Sequence, residues 1–190
     1  MTCFRSHWTA RAFSLALALT TFALTACGGS DKSASPGAPS TSGPTPTPAA
    51  QIQALEASGE LPKLDRSSDI KGPDADNNGI RDDIDAWIAA QPISDSQKKA
   101  AQQSARVIQA ELLADLTNRA ELDQLGDRSM ASIVCLGDSF MPERQKGRDL
   151  SSQIEAMTAN TKERTKQYIA YNRAVSGSSG RLPEGNTCEP

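Results

Sequence analysis

Ser94-Asp95-Ser96-Gln97-Lys98-Lys99-Ala100-Ala101-Gln102-Gln103-Ser104-Ala105-Arg106-Val107-Ile108-Gln109-Ala110-Glu111-Leu112-Leu113 is the stretch that decides the fold. Its first four residues have the Ser-x-x-Gln spacing of a capping box, in which each end residue satisfies a backbone N–H of the other. Behind the box, Ala101, Ala105, Ile108, Leu112 and Leu116 recur at intervals of four and three, the period of one helical face. The intervening Gln, Lys and Glu residues suit a solvated outer face.

The same period appears on both sides of this stretch. Upstream, Ile84, Trp87 and Ile88 share a face over Asp82–Ala90, which Pro92 stops. Downstream, a shorter piece around Ala120–Leu125 ends at Gly126, and Met130–Leu136 forms another. Gly137 and Asp138 are expected to end that helix and cap the next turn. Ser152-Gln153-Ile154-Glu155 repeats the box spacing near the start of a last long helix. Its apolar face holds Leu150, Ile154, Met157, Thr161, Tyr168, Tyr171 and Val175, and Gly177 breaks it. Strand signals are poor and no internal repeat is present. The expected fold class is therefore all-α, a small helical bundle over residues 51–190.

A chain of 190 residues suits one domain with accessories. The net charge of −3 gives no electrostatic basis for gripping nucleic acid. Arg5 and Arg11 precede an apolar run, Ala12–Ala23, that is too short to span a bilayer but right for a signal-peptide core. The run ends at Leu24-Thr25-Ala26-Cys27, followed by Gly28-Gly29-Ser30. Here the chain resembles bacterial lipoprotein precursors, whose lipobox is Leu-x-[Ala/Gly]-Cys. The resemblance implies diacylglycerol on the Cys27 sulfur, cleavage before Cys27 and acylation of the new amine. Such chains hold a protein to the membrane almost permanently. Gly28, in place of Asp, further implies the outer membrane of a Gram-negative cell envelope, facing the periplasm or the cell surface.

Processing of that kind removes residues 1–26, and with them the positive charges of Arg5 and Arg11, so the charge of −3 becomes −5. It also removes His7, the single histidine of the chain. A mature protein without histidine has no Ser-His-Asp or Cys-His catalysis and no His-ligated metal site. Residues 28–50 are rich in Gly, Ser, Thr and Pro without apolar periodicity, and read as a disordered tether beginning at the lipidated Cys27.

With Trp87, Phe140, Tyr168 and Tyr171 as its aromatics, the mature domain has a thin core that needs reinforcement. With Cys3 removed and Cys27 lipidated, Cys135 and Cys188 remain as an even pair in an oxidising compartment. They lack the C-x-x-C spacing of a redox-active pair, so a structural disulfide is expected to pin the tail Gly177–Pro190.

The chemistry concentrates in Asp74-Ala75-Asp76-Asn77-Asn78-Gly79-Ile80-Arg81-Asp82-Asp83-Ile84-Asp85. Ca2+ takes six to eight oxygen ligands, and a loop wrapping it presents them at alternate positions. Asp74, Asp76 and Asn78 stand at positions one, three and five, and Gly79 at six permits the sharp turn. Ile80 offers its carbonyl at seven, Asp82 stands at nine, where binding through water is common, and Asp85 closes the loop at twelve. Five carboxylates against Arg81 leave a local charge of −4.

This pattern resembles the EF-hand-like loops of dockerins and thrombospondin type 3 repeats, D-x-D-x-N-G-x-x-D-x-x-D. It departs from a standard EF-hand in having Asp at position twelve. It also has no entering helix, because Gly72-Pro73 sits just before Asp74 and Leu61–Lys71 has little helical pattern. The order of loop, helical domain and late cysteine also resembles small bacterial lipoproteins and secreted proteins of unknown function, and no activity follows from that likeness.

Ile133-Val134-Cys135-Leu136-Gly137-Asp138-Ser139-Phe140 resembles the first block of GDSL-type esterases, which implies Ser139 as a nucleophile. Such enzymes need a strand ending at the serine and a downstream histidine base, and no histidine follows. The expected function is a membrane-anchored, calcium-binding envelope lipoprotein with a structural or binding role and an unspecified envelope partner. A Ser139 hydrolase and a calcium-independent helical adaptor are the alternatives.

Overall fold

The computed structural model describes residues 46–190. Among these residues the chain forms six α-helices and no strand. They are α1 (Pro48–Ser58), α2 (Asp82–Ala90), α3 (Asp95–Leu113), α4 (Arg119–Ser139), α5 (Arg144–Thr158) and α6 (Lys162–Ala174). The all-α class is as expected. The signal sequence, Cys27 and nearly all of the tether lie outside the described residues.

α3 is the centre of the bundle and packs on α2, α4, α5 and α6. The capping box forms as read: Ser94 Oγ accepts from Gln97 N, and Gln97 Oε1 accepts from Ser94 N at 3.0 Å. The helix ends at Leu113, earlier than the apolar pattern, because Ala114 turns to extended backbone and Leu116 packs from the following loop. Its face of Ala100, Ala101, Ala105 and Ile108 joins Ile84 and Ile88 of α2, Leu136 of α4 and Ile154 of α5 in the main core. Each fully buried aliphatic side chain of that size contributes about 1.5–3 kcal/mol. A smaller cluster of Ala114, Leu122, Leu125 and Tyr171 closes the α6 end.

Asp95, Ser96 and Lys99 at the start of α3 face water as expected, but the polar residues of its second half turn inward. Gln103, Gln109 and Glu111 are all buried. Gln103 Nε2 donates to Thr187 O at 3.0 Å, and its Oε1 accepts from Glu189 N at 3.0 Å. Glutamines taken out of water need such partners, because a buried amide without them costs several kcal/mol. The tail is held there by the Cys135–Cys188 disulfide, with Cα atoms 4.9 Å apart and a sequence separation of 53.

Three boundaries differ from the sequence reading. α4 runs unbroken through Gly126 and Gly137, where two pieces were expected. A helical glycine costs about 1 kcal/mol, and burial of Leu122, Leu125, Cys135 and Leu136 along the same helix exceeds it. The expected last long helix is two helices, and Ser152 lies inside α5 rather than capping it. The break falls at Asn160-Thr161, where the Thr161 side chain accepts from Arg164 N and caps α6. Finally, α1 begins at Pro48, three residues inside the segment read as tether, with Thr47 as its cap. None of its residues is buried, which is why it leaves no hydrophobic stripe in the sequence.

Candidate metal centre

The acidic loop forms where the chain enters α2. Two residues with positive φ turn it, Asn77 at 56° and Gly79 at 80°. Asn tolerates this left-handed region and Gly enters it without penalty. Asp82 N donates to Pro73 O at 2.9 Å, and Ala75 N donates to Asp82 Oδ1 at 2.9 Å, so the two ends of the loop close on each other. Ile80 is fully buried beside Ile84 and Ile88, which anchors the loop to the core.

One carboxylate oxygen each from Asp74, Asp76 and Asp82 lie within 4.8 Å of one another. The Asp74 side chain is 5% exposed, and its Oδ1 is buried without any hydrogen-bond partner. The nearest cation is Lys71, whose Nζ stands 3.7 Å from the other oxygen, Oδ2. Asp85 is not part of this trio, and Asn78 bridges it to Asp76. Asn78 Oδ1 accepts from Ile80 N at 2.8 Å, while Nδ2 donates to Asp76 Oδ2 at 3.0 Å and to Asp85 Oδ2 at 3.1 Å. The remaining oxygen of Asp85 accepts from Gln102 Nε2 of α3 at 2.8 Å. Asn78 thus links Asp85 to Asp76, at one remove from the three-carboxylate cluster.

Beneath the loop lie two buried arginines that the sequence presents only as charges. Arg81, whose side chain has no exposure, donates to Asp83 Oδ1 at 2.6 Å and to Met157 O at 3.0 Å. Arg164, equally enclosed, donates to Asp65 O at 2.8 Å, Asp65 Oδ2 at 2.5 Å, Asp69 O at 2.7 Å and Asn160 Oδ1 at 2.9 Å. Asp65 N in turn donates to Asp83 Oδ2 at 2.6 Å. The pair ties residues 65–83 to the α5–α6 turn. Its hydrogen bond to Arg164 holds the Asp65 carboxyl at about 2, below its ordinary 3.8. Both guanidinium groups are paired and bonded, as charges taken out of water must be. Gly72 leaves them room: its φ is +69°, and a Cβ there would stand 2.5 Å from Arg81 Cδ and 2.8 Å from Arg164 Nη2.

The only sequence hint of this clamp is the conjunction of Gly72, which precedes proline, with Arg81 inside an otherwise acidic loop. Arg164 gives no hint, because Asp65 and Asp69, which bring it under the loop, lie more than 90 residues away. Ser139 is the last residue of α4, and its Oγ donates to Leu136 O at 2.8 Å. Residues 133–139 are helical, so the strand that precedes the serine in the esterase block is not formed. Neither a protein-family model, nor a curated protein, nor a solved structure matches the chain.

Proposed function

We propose that the protein is a lipid-anchored envelope protein whose helical domain is stabilised by one Ca2+ in the loop 74–85, with a binding or scaffolding role. The observation that carries the metal reading is Asp74 Oδ1, a buried carboxylate oxygen without a donor beside two further carboxylates. A buried charged acceptor left this way costs more than about 1–3 kcal/mol, and a cation removes the cost. Ca2+–oxygen distances of about 2.3–2.6 Å put opposed ligands about 4.6–5.2 Å apart, so three oxygens all within 4.8 Å of one another can share one ion.

The donor set is all oxygen, which suits a hard cation rather than zinc or copper. Asp74, Asp76 and Asp82 supply the first three ligands, with Asn78, Asp85 and the Ile80 carbonyl as the loop's remaining donors. A cation there joins the first helical residue of α2 to the chain held by Gly72 and Arg81. That makes it a fastener between the loop and the core. A single site of this kind lacks the paired partner of cooperative sensors.

The anchor rests on the lipobox Leu24-Thr25-Ala26-Cys27 behind its basic and apolar segments. Tether, fold and anchor together favour presenting a small domain near a membrane to a protein partner.

Calorimetry and thermal melts of the full chain in mild detergent test the metal. Calcium is expected to bind and raise Tm, and a chelator to reverse the rise. At a hundredfold excess over Kd the stabilisation is about 2.7 kcal/mol. Asp74→Asn should abolish the rise, yet melt little lower than the native chain in chelator, since it removes one of three clustered carboxylates. Absence of both heat and shift refutes the metal. Metabolic labelling with a palmitate analogue, lost in Cys27→Ala, tests the anchor.

A further inference from the structure

A cavity of about 570 Å3 opens between α3, α4, α5 and α6 and includes no residue of the acidic loop. That is within the range of small-ligand sites. Glu111 of α3 lines it although the residue is only 7% exposed. Among the described residues, no lysine or arginine nitrogen lies within 4 Å of its carboxylate. Glu155 of α5 shares the cavity, and its carboxylate accepts the Tyr168 hydroxyl hydrogen bond. The one cation on the wall, Arg119, is tied to Asp123 at 2.9 Å. Ser129 and Tyr171 offer hydrogen bonds to Glu111 and Arg128 attracts it from a distance, but no cation pairs with it directly, so a buried carboxylate near a second one favours a cationic guest in a cleft of this size.

The rest of the wall defines the missing partner. Tyr168 and Tyr171 supply aromatic faces that favour cations, and Ile108 and Leu122 supply apolar surface. Burial of its hydroxyl, with Glu111 alongside, pushes Tyr171 up to about 12, so the phenol stays neutral. A metal ion would leave most of this volume and all of the apolar wall unused. We infer that the cavity is a binding site for a small organic cation with a primary ammonium group on a short aliphatic chain. The ammonium donates to Glu111 and Glu155, and the methylenes lie against Ile108 and Leu122.

The site also has a pH signature. Burial raises the Glu111 carboxyl to about 7, with Glu155 adding to the rise and Ser129, Tyr171 and Arg128 opposing it. Asp123, Asp127 and Arg119 of α4 and Tyr168 of α6 complete the titratable wall. An ammonium favours ionised Glu111, so binding releases protons near neutrality and is tighter at pH 8 than at pH 6.

Titration calorimetry of the full chain in mild detergent, with calcium present throughout, tests this using putrescine and its neutral counterpart butanediol. Putrescine is expected to bind and butanediol to be silent. Glu111→Gln should weaken putrescine about 10- to 100-fold, as loss of a charged hydrogen bond does, while thermal melts confirm that the variant is folded. Glu155→Gln, at a less buried position, provides the same test should Glu111→Gln not fold. No putrescine binding at millimolar concentration, equal binding of butanediol, or full affinity in both variants overturns the proposal.

Discussion

Gly72→Ala isolates the arginine clamp from every other feature of the fold. The backbone there has φ +69°, where an L-residue is disfavoured by about 1–2 kcal/mol. The added methyl would lie 2.5 Å from Arg81 Cδ and 2.8 Å from Arg164 Nη2, both inside van der Waals contact. Neither arginine can swing into solvent, because both side chains have no exposure. One guanidinium must therefore give up hydrogen bonds worth about 1.5–3 kcal/mol each. The expected destabilisation is about 3–5 kcal/mol. Gly177→Ala supplies the control: φ is +83°, yet nothing lies within 4 Å of the added Cβ, so it should lose only about 1–2 kcal/mol. Urea unfolding followed by circular dichroism, with linear extrapolation, reads both values. If the two variants fall within about 1 kcal/mol of each other, the two arginines do not form a rigid floor beneath Gly72, and the clamp reasoning fails.

Three further outcomes follow from the structure. Replacing both Cys135 and Cys188 by Ser opens a cross-link of sequence separation 53 and should lower stability by about 4 kcal/mol on the chain-entropy account. Limited proteolysis should then cut the tail near Thr187, and a resistant tail would show that Gln103, with Arg106 through its ion pair to Glu189, holds it without the bridge. Glu111 binds its proton more tightly folded than unfolded, with a value raised from 4.5 to about 7, so stability falls as pH rises from 4.5 through 7. That loss is about 3 kcal/mol by pH 8, and Glu111→Gln should remove it; an unchanged slope in the variant would refute the assignment. Asp65 has the opposite sign: its pairing with Arg164 stabilises the fold above pH 3.8, and this is lost as pH falls through about 2. An NMR titration of its carboxyl with a midpoint at or above 3.8 would contradict the ion pair.

The helices were legible wherever one face of a helix meets the core and the other meets water. α2 occupies the residues its apolar spacing marks out, Asp82–Ala90, and Ser94 caps α3 through the box written in the sequence. Legibility failed where tertiary contacts outweigh local preference. α4 passes through Gly126 because its apolar residues on both sides are buried against the same neighbours. The α5–α6 break is set by Asn160, whose amide serves Asp65, Arg81 and Arg164 at once. No local pattern around residue 160 carries that information. The candidate metal loop was visible as spacing, yet its division into a three-carboxylate cluster and an outer Asn78–Asp85 pair was not. Spacing gives the order of donors along the chain, while the competing donors Gln102 and Ile80 N–H decide which oxygens remain free.

The amino-acid sequence by itself determined the all-α class, the cysteine pairing and the place where acidic oxygens gather. Those properties depend on residues close in the chain or, for the cysteines, on the lipobox reading, which sets Cys3 and Cys27 aside and leaves Cys135 and Cys188 as the pair that the structure bridges. The tertiary structure alone decided that Arg81 and Arg164 lie buried under the loop, that Gln103 and Gln109 of α3 face inward, and that Glu111 and Glu155 line one cavity. Each of these depends on burial, and burial of a polar side chain is fixed by partners that distant segments bring to it.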